Sequence, residues 1–213
     1  MKTPKLILTI FITLIVLYTF AQNDSITVKE IIKVGNAGMK NYLEKIPVGN
    51  ESLYGFNNRY EFENAVLSKP YQVVTLNKEF FNDNDITDKN YLMPTNEWRV
   101  PITLNGEYRV LLTVAKMNGE LKTVGIGAAI LAKELGEFEK KHPSLNQVGT
   151  MLRVYQLTSD FVLLTPNDSI SLQQAYPLTS ANIALGNNND KSTKYSLSQL
   201  LPLIKKNINS NKN

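Results

Sequence analysis

Hydrophobic and polar residues alternate most regularly between residues 96 and 127, in the string N-E-W-R-V-P-I-T-L-N-G-E-Y-R-V-L-L-T-V-A-K-M-N-G-E-L-K-T-V-G-I-G. Two Asn-Gly pairs, Asn105-Gly106 and Asn118-Gly119, divide it into three runs. Asn-Gly between alternating hydrophobics is the strongest short-range hairpin signal, so the string predicts an antiparallel three-stranded meander. A three-residue bulged loop at each turn is the register expected to keep one face apolar. It pairs Ile102 with Tyr108, Val100 with Val110 and Trp98 with Leu112. On the third strand it pairs Leu112 with Val124 and Val110 with Ile126, with Lys116 opposite Glu120. Arg99, Pro101, Thr103, Arg109 and Thr113 then share the second face with Leu111 and Leu121. That mixture predicts partial cover for the second face.

Helical periodicity brackets the meander. Val28, Ile31, Ile32, Gly35, Met39, Tyr42, Leu43 and Ile46 recur at helical intervals within residues 23–47, with Thr27 and Glu30 at capping-box spacing and Pro47 as the stop. Gly35 and Gly38 weaken this helix, and their place in it predicts close packing against another element. Leu53, Tyr54 and Phe56 belong to a loop over 48–57, followed by a short helix over about 58–68 and a strand at Tyr71–Leu76. Ala128, Leu131, Leu135 and Phe138 form the stripe of a helix ending at His142-Pro143, predicted to lie across the meander. A second hairpin is predicted over 148–165, its first strand central because both faces are apolar. Leu197, Leu200, Leu201, Ile204 and Ile208 mark a last amphipathic helix, in which Pro202 is expected in the first turn.

These elements predict an α+β fold: an antiparallel β-meander sheet of about five or six strands with helices packed on one face, in a single domain. Residues 1–21 read as a secretory signal. Lys2 and Lys5 precede an apolar run from Leu6 to Phe20, and Thr19-Phe20-Ala21 suits cleavage before Gln22. The expected division is therefore 1–21 signal peptide, 22–194 α+β domain, and 195–213 C-terminal helix and polar tail.

Composition narrows the partners. The chain of 213 residues carries formal net charge +4, from 23 basic and 19 acidic side chains. Lys2 and Lys5 belong to the signal, so 21 basic residues remain against the same 19 acidic ones. No Lys/Arg cluster marks a nucleic-acid footprint. The chain has no cysteine, so an exported form depends on an ordinary core without disulfides, and a lipid-anchored lipoprotein is excluded.

Candidate chemistry is sparse. Asn82-Asp83-Asn84-Asp85 and Thr87-Asp88 offer oxygens at alternate positions, as calcium requires. The EF-hand pattern fails, however, because Asp88 occupies the glycine position and Pro94 that of the bidentate glutamate. Gly125-x-Gly127 at a strand-to-helix junction lacks the third glycine of a dinucleotide fingerprint, where Ile130 stands. His142 is the one histidine, no G-x-S-x-G elbow accompanies it, and Glu134 and Glu137 fall on a solvated helix face. No catalytic residue, metal ligand or cofactor is assigned. Two binding candidates remain: Arg99 with Arg109 on the second face of the meander, and Tyr54 with Phe56 in the aromatic loop. The expected function is an exported, periplasmic or secreted, non-enzymatic protein that binds another exported protein. It would meet the membrane only through its signal segment and would bind no nucleic acid. The alternative is a small-molecule-binding domain, and after it a cofactor-free hydrolase.

Overall fold

The computed structural model describes residues 26–86, 90–143, 149–164, 173–187 and 193–210. The expected signal peptide and residues 87 and 88 of the 82–88 stretch lie outside them. The described chain builds one mixed sheet of nine strands, with the order β5-β4-β3-β2-β6-β7-β8-β9 and β1 alongside β3. The strands are β1 (Val66–Leu67), β2 (Tyr71–Leu76), β3 (Leu92–Leu104), β4 (Glu107–Met117), β5 (Glu120–Gly127), β6 (Gly149–Val154), β7 (Ser159–Leu164), β8 (Gln174–Pro177) and β9 (Tyr195–Ser196). The helices are α1 (Val28–Glu44), α2 (Lys78–Asn82), α3 (Ala129–Lys141), α4 (Thr179–Ala184) and α5 (Leu197–Ser210).

The mixed α and β composition and the β3–β4–β5 meander agree with the sequence pattern, but three features differ. Strand count is nine and not five or six, because β1 and β9 are two residues long and β8 four, too short for a periodicity to register. The sheet is not wholly antiparallel: β2 and β6 run parallel, with Val73 beside Met151 and Val74 beside Leu152. Helices cover both faces. Val110 and Leu112 of β4 belong to the core under α1, whereas Leu111 between them packs with Ala132 and Leu135 of α3. On β6, Leu152 lies in the core with Leu200 and Ile204 of α5, and Met151 lies in the core with α3. Because side chains alternate along a strand, α1 and α5 share one face and α3 takes the other. This is the cover that the apolar residues of the second face required: Leu111 is 1% exposed and Thr113 7%.

The meander register shows why most of the face assignment survived an incorrect turn. Leu104 pairs with Glu107 and Met117 with Glu120, so each turn has two residues, and Asn105, Gly106, Asn118 and Gly119 all have positive φ. These are the turns that Asn-Gly favours. The extra residue enters farther along the strands, between the Thr103–Tyr108 and Ile102–Val110 pairs and again between Val114–Thr123 and Thr113–Gly125. Ile102 therefore opposes Val110, Val100 opposes Leu112, and Leu112 opposes Ile126, in place of the expected partners two residues away. Beyond each bulge a shift of two leaves the side chains on their expected faces, but between turn and bulge the faces are exchanged. Tyr108, expected with Ile102, joins Leu111 on the α3 side, and Leu121, expected with Leu111, joins the core under α1.

Helix α1 begins at the predicted capping box, with Thr27 Oγ1 accepting from Glu30 N and Glu30 Oε2 accepting from Thr27 N. Its two glycines let it approach the sheet. A Cβ on Gly35 would lie 2.6 Å from Leu67 Cδ1, and one on Gly38 would lie 2.6 Å from Thr123 Cβ. Tyr42 donates from the same helix to Thr123 O at 3.0 Å. Pro202 sits inside α5 and not in its first turn. It lies on the exposed side, and the carbonyl it deprives of a hydrogen bond belongs to Ser198, an exposed residue.

Candidate functional site

The loop over 48–57 is built by a salt bridge that its sequence does not announce. A 3-10 turn over Glu51–Tyr54 ends at Gly55, whose φ of 80° is left-handed. Glu51 is buried and accepts from Gly49 N at 2.8 Å and from Arg59 Nη1 at 3.0 Å. The same guanidinium donates to Ile46 O at 2.7 Å and Glu44 O at 2.8 Å, so Arg59 ties the end of α1 to the loop. Its own backbone N–H first, with Arg59 and Gly49 adding to it, holds the Glu51 carboxyl below the ordinary carboxylate range.

This framework decides which side of the loop faces water. Phe56 is 1% exposed and meets Phe62 edge-to-face at 5.0 Å, and half-buried Tyr54 packs against the same core. Phe56 is thereby committed to packing. Leu53 points the other way and is 70% exposed. Gly55 lies so close to β4 that a Cβ there would sit 2.7 Å from Arg109 O. The loop is thus seated directly on the residue that forms the β4 bulge.

Between this loop and α3 runs a groove of about 610 Å³. Ser52, Leu53 and Gly55 form one wall, Glu107, Tyr108 and Arg109 the floor, and Ala129, Ile130, Lys133, Gly136, Glu137 and Lys140 the other wall. Gly136 lets α3 approach the floor, since its Cβ would already be 3.2 Å from Tyr108 Cβ. Ile130 is 80% exposed on the lip opposite Leu53. Arg109 pairs with Glu107 at 3.2 Å, and its Nε is buried without a hydrogen-bond partner.

The four predicted binding residues are therefore regrouped. Arg109 borders the groove, but the loop residues that border it with Arg109 are Ser52, Leu53 and Gly55, whereas the predicted Tyr54 and Phe56 pack against the core and do not line it. Arg99 lies elsewhere: it pairs across β4 with Thr113, donates to Thr113 Oγ1, and meets Glu97 at 3.6 Å. Lys133 and Lys140 complete the groove and were not singled out, because a lysine on a helix looks the same in sequence whichever wall it stands beside.

Below the groove floor, α3 is pinned by a carboxylate held between two phenols. Tyr71 donates to Glu139 Oε1, Tyr108 donates to Glu139 Oε2 at 2.7 Å, and Ser68 Oγ lies 2.9 Å from the Tyr108 hydroxyl. Burial, followed by hydrogen bonding to Glu139, raises both phenol pKa values. Both phenols therefore stay protonated as donors. Gly149 on β6 makes room for this arrangement, since a Cβ there would overlap the Tyr71 ring.

A second buried carboxylate lies on β7. Asp160 pairs across the strands with Arg153, whose Nη1 is 3.1 Å from Oδ1 and 3.2 Å from Oδ2. Burial raises the Asp160 pKa, outweighing the lowering by Arg153 and Arg99. The folded chain thus holds this proton more tightly than the unfolded chain does. The contribution of Asp160 to stability is full below the ordinary carboxylate pKa and is lost as pH rises through the raised folded value. Urea unfolding across that interval should show the stability of Asp160→Asn falling less with rising pH than that of the natural chain. Parallel profiles would refute the assignment.

Among the described residues, no group of three or more histidine, aspartate or glutamate side chains is placed to hold a metal ion. No protein-family model, curated protein or solved structure matches this chain.

Proposed function

We propose that this is an exported, non-enzymatic binding protein. In this reading, the groove between α3 and the 48–57 loop takes a segment of another exported protein that carries aliphatic side chains and net negative charge. The observation that carries the proposal is the pairing of Leu53 and Ile130, 70% and 80% exposed, on opposite lips of one groove. Large aliphatic side chains left bare at facing positions lose free energy to hydration, and a partner that covers them recovers it. Charge selects the partner. Arg109 and Glu107 pair with each other, which leaves Lys133 and Lys140 facing Glu137 in the groove. The surplus is cationic, which steers an acidic segment toward the site. Export rests on the N-terminal pattern of Lys2, Lys5 and the apolar run to Phe20.

The test is affinity capture from envelope and culture-medium extracts, read by mass spectrometry, with the natural chain beside Leu53→Asp/Ile130→Asp. Both substitutions fall on exposed positions, so the melting temperature should stay within a few degrees of the natural value. The expected result is a stoichiometric partner whose recovery falls by about tenfold or more in the variant, as for loss of a central apolar contact. Equal recovery by both proteins would overturn the proposal.

A further inference from the structure

The opposite flank of α3 holds a second groove, of about 660 Å³, between that helix and the β8–α4 segment. Its volume is within the range of about 300–1,000 Å³ typical of small-molecule sites. Its wall is aromatic. Phe138 and His142 from the end of α3 meet Tyr176 of β8, with ring centroids 4.5 Å apart for Phe138–His142, 5.2 Å for Phe138–Tyr176 and 5.0 Å for His142–Tyr176. All three rings are half-buried, so each keeps part of its surface open. The Tyr176 hydroxyl is spent on Gln174 Oε1 at 3.0 Å, leaving the ring as its contribution to the groove.

The polar lining is mixed. Asn182 is 7% exposed in the groove wall, and its Nδ2 donates to Pro177 O at 3.4 Å, while its Oδ1 is buried with no partner. An orphaned buried acceptor is destabilising, and a ligand donor that reaches it relieves that penalty. Glu134 adds acceptor oxygens, one of them receiving Thr179 N at 3.3 Å, and Lys133 and Lys141 add donors.

We infer that this groove binds a neutral saccharide ring. A sugar presents a C–H face to the aromatic wall, and each of its hydroxyls both donates and accepts. It can therefore satisfy Asn182 Oδ1 and Glu134 while accepting from the lysines. A flat apolar ring would leave the Asn182 acceptor unsatisfied, and an anion would face Glu134 and Glu137. The site is separate from the partner groove, although Ile130, Lys133 and Glu137 border both.

The test is ligand-observed NMR on the protein recovered after expression of residues 1–213. Probes are glucose, galactose, N-acetylglucosamine, maltose and cellobiose, with adenine as a stacking ligand that carries no sugar. Saturable binding of at least one sugar is expected. Asn182→Leu, close in volume and free of the orphaned acceptor, should weaken it by about tenfold or more while keeping the natural melting temperature. Tyr176→Phe retains the ring and should bind within about twofold of the natural chain. Leu53→Asp, on the other groove alone, should leave sugar binding unchanged. Binding of adenine only, binding of no probe, or sugar binding indifferent to Asn182→Leu would each overturn the inference.

Discussion

Glu139→Leu should destabilise the fold by about 2–3 kcal/mol, because it strands a phenol inside the protein. Tyr71 is 3% exposed, and Glu139 accepts its hydroxyl hydrogen. Tyr108 retains Ser68 at 2.9 Å and loses less. For a folded chain of this size the change corresponds to a fall in melting temperature of roughly 4–12 °C. A double-mutant cycle separates the hydrogen bond from general loss of packing. Tyr71→Phe removes the stranded hydroxyl, so Tyr71→Phe/Glu139→Leu should lose markedly less stability than the two single changes added together. Additive losses, measured by urea unfolding, would show that the phenol–carboxylate contact contributes nothing specific.

The second large effect is expected at Lys205. Its Nζ donates to three backbone carbonyls where α2 ends: Phe80 O at 2.7 Å, Phe81 O at 2.8 Å and Asp83 O at 3.0 Å. It also lies 5.3 Å from the centre of the fully buried Phe80 ring. A helix C-terminus concentrates unpaired carbonyls and partial negative charge, so one ammonium with three donors suits it. Lys205→Met keeps the aliphatic stem and should cost about 2 kcal/mol, seen as a lower urea midpoint with an unchanged slope. Lys205→Arg should recover less than half of the loss, because a planar fork does not place three hydrogens as a tetrahedral ammonium does. Full recovery by arginine would mean that charge alone holds α2 to α5.

Local signals were the most legible. Thr27 and Glu30 formed the capping box that their spacing announced, and the two Asn-Gly pairs formed the meander turns. Tyr71–Leu76 is the strand its pattern predicts, and β6 lies between β2 and β7 as its two apolar faces required. Gly35 and Gly38 made the close approach expected of them, although only the structure names Leu67 and Thr123 as the neighbours. The bulges inside β4 and β5 were not legible, because each exchanges the faces only of the few residues between it and the turn, and Tyr108 and Leu121 suit either face. Asn96, whose φ is 60°, marks another irregularity, where β2 shifts register against β3 between Val73 and Val74.

The candidate site was legible in pieces. Arg109 and the 53–56 segment stood out for charge and apolarity, but their sequence positions are more than 50 residues apart and nothing in either implies the other. Arg59, Glu51, Glu139, Asn182 and Lys205 gave no signal, since each is an ordinary polar residue whose partners are distant in sequence or out of helical phase. Arg99 and Arg109 looked paired because β3 and β4 are neighbours. The bulge and the separate partners Thr113 and Glu107 send them to different places.

Residue order alone was therefore sufficient for the long helices α1, α3 and α5, for the positions of the meander turns and for most of its apolar face, all of which depend on contacts within a few residues along the chain. Which strands lie side by side was decided only in three dimensions. The parallel β2–β6 pairing joins segments separated by the whole meander and α3, and it is what brings Gly149 beneath Tyr71 and lets α3 cover the second face. Both grooves follow from that placement of α3. Their composition depends on which side chains remain uncovered after packing, a property of the assembled layers that no window of sequence contains.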